Sequence, residues 1–315
     1  MKRKLTTTIS IGICAYNEET NIGNILSNLL SQPLLPNQEL IEIIVVSSGC
    51  TDGTVDVVRR YCERDARVNL IVEKKRNGKT HAQNIILREA RGDVLVMMSA
   101  DVHPERGSLA LLANDIKGDV GAADSLVLLL NRTKGLRNFI PHFTWSLHNR
   151  TMAHEDAKGT LMHLAGNMFA IKNRIIRHIP VNVINDDAYI GMAIRKMGYR
   201  VMYEQKSIVY IMGPRTIPDY IRQRRRVLYG HRQLLKMLGN YPNTLEMMIF
   251  KNPLESFKII FGELTKRPFK DYLKIVCSIL LEALANIISV FDCFLGKDHR
   301  LWKTVPSTKN LRLQR

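Results

Sequence analysis

The sequence lacks the patterns that mark several common protein classes. Its five cysteines are an odd number without a CxxC pair, so it favours neither a disulfide framework nor a zinc site, and we expect a reducing, cytosolic setting. No GxGxxG follows a predicted strand, which argues against a dinucleotide dehydrogenase. Only 7% of the residues are aromatic, whereas nucleic-acid-binding modules usually interleave aromatic with basic side chains. The sequence also has no linker rich in Pro, Gly or Ser and no internal repeat.

Acidic residues are scarce relative to basic ones. The chain has 29 Asp and Glu against 46 Lys and Arg, a net charge of +17. This balance favours anionic partners such as phosphates, anionic lipids or nucleic acid, without choosing among them. With 315 residues, 45% of them hydrophobic, the chain is long enough for one large domain or two smaller ones.

The first hundred residues alternate β-branched runs with segments of helical period. This alternation predicts βαβ units around a mostly parallel sheet. The apolar run near the N-terminus is brief and continues into charged residues, so we interpret it as a first strand rather than a signal peptide. Asn17 is expected to cap the helix that follows. Four polar loops follow predicted strands, AYNEE, SSGCTDGT, RNGK and SADVHPE, and should converge on one sheet edge.

The second half of the sequence is less regular. Strands are predicted in GAADSLVLLL, LMHLAGNMFAIK and RVMYEQKSIVYIM, and helices near residues 187–197 and 218–238. We divide the chain into a domain over residues 1–240 and a helical region over residues 241–315.

The predicted C-terminal helical region is strongly apolar. Ile275 to Leu295 is long enough for a transmembrane helix. However, one helical stripe carries Ser278, Glu282, Asn286, Ser289 and Cys293, and basic residues flank both ends. This amphipathic pattern predicts a helix lying in the headgroup region of a membrane, with a helix that covers the sheet domain as the alternative.

The stretch SADVHPE places Asp101 and His103 two positions apart where a strand ends. Alternating strand residues point to the same side, so the two side chains suit a metal-and-phosphate site; an ordinary strand exit is the alternative. Carboxylate oxygens suit Mg²⁺ or Mn²⁺, and an imidazole shifts the preference towards Mn²⁺.

Four motifs in order, AYNEE, SSGCTDGT, SADVHPE and NDDAYIGMAIRKMGYR, followed by RQRRRV, resemble a family 2 inverting glycosyltransferase of the membrane-associated type. The resemblance covers residues 9–231, and its specificity comes from the ordered set. It implies an α/β, GT-A fold with a mostly parallel sheet flanked by helices. It also implies metal-dependent transfer of a hexose, from a UDP-sugar by preference, to a lipid-linked or glycan acceptor. The site of action would be the cytoplasmic membrane face, or else the cytoplasm.

The same resemblance implies the donor-binding residues. The loop residues Asn17 and Glu18 correspond to positions that hold the base and ribose, and Lys79 to a lysine that approaches the nucleotide. Ser47 and Ser48 replace the two aspartates of the nucleoside-contacting segment, while Asp52 and Thr54 are expected to cap a helix. Together with the metal motif and the basic helix, the implied donor set is Ala15, Tyr16, Asn17, Glu18, Ser48, Lys79, Ser99, Ala100, Asp101, Gln223, Arg224 and Arg226.

The metal and the catalytic base follow from the resemblance in the same way. Ser99 replaces the first carboxylate of the DxD-like motif, which leaves Asp101 and His103 as the implied ligands of Mn²⁺ or Mg²⁺. Asp187 corresponds to the base that removes the acceptor proton, and Asp186 to its glutamate neighbour. Helix capping is the alternative for this pair.

Two further motifs complete the resemblance. The segment RQRRRV resembles the QxxRW motif that holds the donor diphosphate, and Val227 in place of tryptophan argues against processive synthesis. Gly166 and Asn167 are implied to line the donor-sugar or acceptor pocket.

Several alternatives stay open at this point. Transfer to a polyprenyl phosphate is one, and a base is less necessary there because that acceptor is already ionised. A nucleotidyltransferase should have a glycine-rich first loop, which AYNEE is not. A nucleic-acid binder fits the charge, although no nucleic-acid partner is expected. An inactive scaffold fits the serines that replace carboxylates at Ser47, Ser48 and Ser99.

Overall fold

The computed structural model describes residues 6–131, 135–297 and 299. Eight strands form one sheet in the order β3-β2-β1-β4-β7-β6-β8-β5. The strands are β1 Thr7–Ala15, β2 Gln38–Ser48, β3 Val68–Glu73, β4 Val94–Ser99, β5 Val102–Pro104, β6 Val120–Leu129, β7 Met168–Lys172 and β8 Arg200–Ile211. The helices are α1 Ile22–Leu30, α2 Thr54–Arg64, α3 Lys79–Glu89, α4 Ser108–Asn114, α5 Leu136–Ala157, α6 Asp186–Lys196, α7 Ile217–Leu238, α8 Leu245–Lys251, α9 Pro253–Leu264 and α10 Tyr272–Phe294.

The first four strands are parallel, as the alternating sequence pattern predicts. β1 pairs with β2 and β4, and β2 pairs with β3. Ile9, Ile11 and Ile13 of β1 pack under α1 on one face of the sheet. On the other face, Val46 of β2 packs with Ile86 of α3. Because helices cover both faces, these strands are almost continuously apolar.

The second half makes the sheet mixed. β7 runs antiparallel between β4 and β6, and β5 runs antiparallel to β8. The strand predicted in LMHLAGNMFAIK begins only at Met168, because Gly166 has a positive φ of 82° that interrupts an extended chain.

Helix α5 has no counterpart among the predicted elements. Its 22 residues contain Pro141, and its apolar residues do not follow one stripe. The helix packs against β6 and β8 as well as against α9 and α10, so several of its faces are covered. A one-sided pattern is the signal that identifies a helix from its sequence, and α5 does not have one.

The prediction that Asn17 caps α1 is wrong. The residue before α1 is Asn21, and Asn17 lies in a left-handed conformation with φ 53°. Its side chain bonds to the loop after β2 instead.

Candidate active site

The loops after β1 and β2 are tied together at the carboxyl edge of the parallel strands. The Asn17 Oδ1 atom accepts a hydrogen bond from the Thr51 amide at 2.8 Å, and the Glu18 amide donates to Thr54 Oγ1 at 2.8 Å. Asp52 Oδ1 accepts from the Thr54 amide at the start of α2 at 3.1 Å. The two loops thus hold each other in place, and the Asn17 side chain contributes to this rigidity.

The loop after β3 lies against the same two loops. The guanidinium carbon of Arg76 lies 3.9 Å from the centre of the Tyr16 ring, a cation–π contact. The Asn77 amide donates to Ser48 Oγ at 3.4 Å. Ser47 Oγ is buried and has no hydrogen-bond partner among the described residues. The loops after β1, β2 and β3 therefore meet, with serine hydroxyls where the family motif has carboxylates.

The centre of the edge is an ion pair between the starts of two helices. Lys79 Nζ at the start of α3 lies 2.8 Å from Asp186 Oδ2 at the start of α6. The Gln83 side chain donates to the same oxygen at 2.5 Å, and Asp186 is only 4% exposed. Burial acts to raise the pKa of Asp186, but the charge of Lys79 and these hydrogen bonds hold it below the usual value. Asp186 is therefore a fixed carboxylate.

Asp187 differs from its neighbour although it is the next residue. It is partly exposed, and its Oδ1 accepts from the Ala188 amide at 2.7 Å. Burial and the adjacent charge of Asp186 raise the pKa of Asp187 to about 6, against the opposing charge of Lys79. One carboxylate of the pair is thus anchored, and the other is tuned to exchange a proton near neutral pH.

Gly166 packs directly against Asp187. A Cβ atom at this position would lie 1.9 Å from Asp187 Oδ2, so any larger residue would displace the carboxylate. The neighbouring Asn167 carbonyl accepts from the Ser99 amide at 3.2 Å, which ties this loop to the end of β4. The structure thus brings together the loop of Gly166 and Asn167, the metal motif and the carboxylate pair.

A second buried carboxylate, Asp124 of β6, was not predicted from the sequence. Its Oδ2 accepts from the Ala165 amide at 2.5 Å and its Oδ1 from the Ser125 amide at 3.0 Å. Burial raises the pKa of Asp124 to about 8, and the charge of Asp187 adds to this shift. The sequence did contain a signal for this residue, since Asp124 is a lone aspartate within the apolar strand GAADSLVLLL. An acid buried in such a strand needs a specific partner, which marks it as a candidate site residue.

The arginines of α7 point to different parts of the molecule. Arg226 donates to the Ile184 carbonyl at 3.0 Å, and its charge acts on both Asp186 and Asp187. Gln223 lies three residues earlier and shares its helical face with Arg226. Arg224 instead contacts Glu282 of α10 at 2.7 Å and Glu246 of α8 at 2.6 Å. We therefore assign Arg224 to the attachment of the C-terminal helices and not to the donor.

The metal motif spans the end of β4 and the short strand β5. Ser99 is the last residue of β4, Ala100 is buried, Asp101 lies in the turn, and His103 pairs with Tyr210 of β8. Burial lowers the pKa of His103, so its imidazole is neutral at pH 7, the form that binds metals. Its Nε2 lies 3.4 Å from Asn28 Nδ2, a contact that a metal on Nε2 would replace.

These residues fit a metal that shares its ligands with a substrate. The described part of the chain has no group of three or more His, Cys, Asp or Glu side chains that would hold an ion alone. Mg²⁺ and similar ions commonly bind through one or two protein ligands together with substrate phosphates. Asp101 and His103 provide that number.

Comparison with known proteins assigns the family. The model of glycosyl transferase family 2 matches residues 10–179. The probable glycosyltransferase YdaM of Bacillus subtilis is 26% identical over 243 residues, which is 74% of this chain and 57% of that protein. Poly-beta-1,6-N-acetyl-D-glucosamine synthase of Staphylococcus aureus is 22% identical over 232 residues, 72% of this chain and 55% of that protein. The chain therefore spans a little over half the length of these curated relatives.

Solved structures agree on the fold. The mannosyltransferase PcManGT from Pyrobaculum calidifontis, in complex with GDP-Man and Mn²⁺, superimposes with a TM-score of 0.63 and 21% identity. The match covers 93% of this chain and 88% of PcManGT. GalNAc-T7 with UDP, GalNAc and Mn²⁺ gives a TM-score of 0.50 and 14% identity over 72% of this chain and 50% of that one. Since the family model matches more than half of the sequence, this protein belongs to glycosyl transferase family 2, and its fold is of the GT-A type.

Proposed function

We propose that this protein transfers a sugar, a hexose by expectation, from a nucleotide-sugar donor to a lipid-linked or glycan acceptor at the cytoplasmic face of a membrane, with inversion at the anomeric carbon. The observation that carries the proposal is the arrangement of Lys79, Asp186, Asp187 and Arg226 at the carboxyl edge of the parallel strands. It combines one fixed carboxylate, one carboxylate with a raised pKa and two cations in a partly buried site. Perturbed groups of this kind mark functional sites.

The donor would lie across the loops at the carboxyl edge of the sheet. Backbone and side chains of residues 15–18 and Ser48 would hold the nucleoside, and Tyr16 offers an aromatic face already backed by Arg76. Arg226 would contact the diphosphate through its planar fork of donors. Lys79 pairs with Asp186, and its positive charge would stabilise both this carboxylate and the donor phosphates. UDP- and GDP-sugars are the first donors to test, because the two solved relatives contain UDP and GDP-Man.

Asp187 would act as the base. The acceptor hydroxyl attacks the anomeric carbon from the face opposite the nucleotide, the sugar–phosphate bond breaks, and the proton passes to the carboxylate of Asp187. A pKa of about 6 leaves this carboxylate mostly ionised at pH 7 yet more basic than an ordinary aspartate. The absence of a side chain at Gly166 leaves the room that the Asp187 carboxylate itself occupies, so Gly166 would keep the base in position.

Asp101 and His103 would hold a divalent ion, Mn²⁺ or Mg²⁺, together with the donor phosphates. Such an ion stabilises the negative charge that develops on the leaving diphosphate. The positive charges of Arg226 and Lys79 would stabilise the same negative charge on the leaving diphosphate.

The C-terminal helices support the membrane part of the proposal. The described residues include one helical segment, Phe269–Phe294, that is long and apolar enough to cross a membrane, and most of it is exposed. Its polar stripe faces the protein: Glu282 contacts Arg224, Asn286 and Ser289 accept from Arg232, and Asp292 accepts from Arg225. Its apolar residues, with those of α8 and α9, face outward, including Phe250, Leu254, Phe257, Leu273, Leu280, Ile287 and Phe294.

This orientation favours a helix that lies on the bilayer over one that spans it. A span would carry the polar stripe, and with it the paired arginines of α7, into the hydrocarbon core, where charged side chains are costly even when they are paired. Exposed lysines such as Lys251, Lys266 and Lys270 border the apolar surface and suit anionic headgroups.

Calorimetric titration with UDP, GDP and CDP, with and without Mn²⁺, tests the donor site. We expect one nucleotide to bind in a Mn²⁺-dependent manner, and Asp101→Ala to abolish the metal dependence. Lys206→Ala, at an exposed residue of strand β8, is the control and should bind like the unmodified protein. If no nucleotide binds under any condition, the inactive-scaffold alternative is correct.

A further inference from the structure

A large cavity lies outside the site described above. Its volume is about 1030 Å³, and it lies between the far end of β6, helix α5 and the connection from α9 to α10. Residues 126–129 of β6, His142 and Trp145 of α5, and the segment 266–268 line it. Nothing in the proposed transfer reaction uses this space.

The cavity lining carries a surplus of positive charge. Four basic side chains line it, Arg150, Lys266, Arg267 and Lys274, against two carboxylates, Glu263 and Asp271. Glu263 pairs with both Arg150, at 3.0 Å, and Arg267, at 2.6 Å, so that one carboxylate faces two guanidinium groups. Lys266 is exposed and takes part in no ion pair within the described residues. An anion is therefore the ligand that the charge favours.

Two of these cations are fixed beside one aromatic ring. The Arg267 guanidinium carbon lies 5.5 Å, and Lys274 Nζ 5.6 Å, from the centre of the Phe139 ring. Lys274 is also held by Asp271 at 2.6 Å. These contacts keep two positively charged groups on one wall, a suitable arrangement for a phosphate.

Exposed apolar residues adjoin the cavity lining along the chain. Phe269 stands between the cavity residues Pro268 and Asp271 and is 85% exposed, and Leu273 precedes Lys274 and is 75% exposed. A free inorganic anion gains nothing from such residues, whereas the chains of a lipid would cover them at about 25 cal/mol per Å² of apolar surface. We propose that the cavity binds the anionic, phosphate-bearing headgroup of a membrane lipid, with the phosphate against Lys266, Arg267 and Lys274 and the chains over Phe269 and Leu273.

Trp145 provides a direct reporter, because it lines the cavity and the chain has only two tryptophans. In a Trp302→Phe background, Trp145 fluorescence is followed during titration with dihexanoyl phosphatidic acid below its micelle concentration. Dihexanoyl phosphatidylcholine and inorganic phosphate serve as parallel probes. We expect saturable binding of phosphatidic acid, with phosphatidylcholine and inorganic phosphate each at least about tenfold weaker.

Two charge reversals test where the lipid binds. Lys266→Glu removes a cavity cation, and Lys251→Glu makes the same charge change on α8, outside the cavity. Both lysines are exposed, so neither change should disturb folding. We expect Lys266→Glu to weaken phosphatidic acid binding about tenfold and Lys251→Glu to change it less than about twofold.

Three results would overturn the inference. Equal losses in the two variants would show attraction by net charge alone. Inorganic phosphate binding as tightly as phosphatidic acid would show a free-anion site, and unchanged Trp145 fluorescence would show no site. Nucleotide titration of the same proteins separates this inference from the proposed transfer, because Lys266→Glu should bind nucleotide normally whatever the lipid result.

Discussion

The two faces of α7 use the same residue type for different purposes. Arg226 faces Asp186 and Asp187 at the loop edge, whereas Arg224 and Arg225 face Glu282 and Asp292 of α10. Adjacent residues differ by about 100° around a helix, so a run of arginines cannot act as a single patch. Helix α7 therefore links the candidate catalytic centre to the C-terminal helix α10. Adjacent arginines of one sequence run make the contacts on both sides.

The largest effect is expected for Asp187, at the candidate catalytic centre. Asp187→Asn removes the proton acceptor while keeping the size of the side chain, so we expect the transfer rate to fall about 10³-fold. Nucleotide binding, measured by calorimetry, should stay within about twofold, because Asp187 contacts the acceptor in this account. Loss of nucleotide binding together with transfer would instead give Asp187 a structural role.

The next prediction separates the two faces directly. Arg225→Gln leaves Asp292, which is buried, without its bidentate partner at 2.5 and 2.7 Å. We expect the free energy of unfolding to fall by about 3 kcal/mol, the lower end for a broken buried pair, because Lys297 and His299 still contact Asp292. Chemical denaturation measures this change, and nucleotide affinity should remain unchanged.

Arg226→Gln is the matched variant on the other face. We expect it to weaken nucleotide diphosphate binding about tenfold and to affect unfolding less than Arg225→Gln does. If both variants shift stability and nucleotide affinity alike, the two faces are not functionally distinct.

A smaller effect is expected at the bilayer. Leu280 is exposed on the outer face of α10, and Leu280→Glu replaces an apolar group that would be buried in lipid. Partitioning onto anionic vesicles should fall about tenfold, as measured by sedimentation. Val181→Glu, also exposed but outside α8–α10, is the control and should lower partitioning much less. A point change is preferable to deleting the helix, because deletion would leave the arginines of α7 without their acidic partners.

The last prediction concerns the pH dependence of stability at Asp124. In the folded protein its carboxyl keeps its proton up to a pKa of about 8, whereas an unfolded aspartate loses it near 3.8. Between these values the folded state binds more protons, so this group favours folding less and less as pH rises from about 4 to 8. Asp124→Asn keeps an oxygen for the Ala165 amide and removes the titration. The melting temperature of the variant relative to the unmodified protein should therefore rise across this interval, and a constant difference would contradict the assignment.

Much of the half that contains the parallel strands was predictable from the sequence. Parallel strands buried on both faces leave strong apolar runs, and polar loops at their ends stand out as AYNEE, SSGCTDGT and SADVHPE. The family resemblance rested on these ordered loops, and the family is confirmed. The assignments of base, donor and metal residues within it remain predictions.

The other half was harder to predict because its signals depend on tertiary contacts. Helix α5 is covered on several sides, so its sequence shows no stripe. The polar stripe of α10 was visible in the sequence, but the sequence did not show which way the stripe faces. In the structure it faces the arginines of α7, and the apolar face of α10 is on the outside. For the same reason the separation of Arg224 from Arg226 required the partners Glu246 and Glu282 to be placed in space.

The pH dependence of the transfer rate tests the central assignment most directly. If Asp187 is the base, the rate at saturating substrates should fall as pH drops through about 6, with a single titration on the acid side, because the protonated carboxyl cannot accept the acceptor proton. The residual rate of Asp187→Asn should not show this titration. A rate that stays level from pH 8 down to pH 5 would contradict the account, and the base would have to be sought elsewhere.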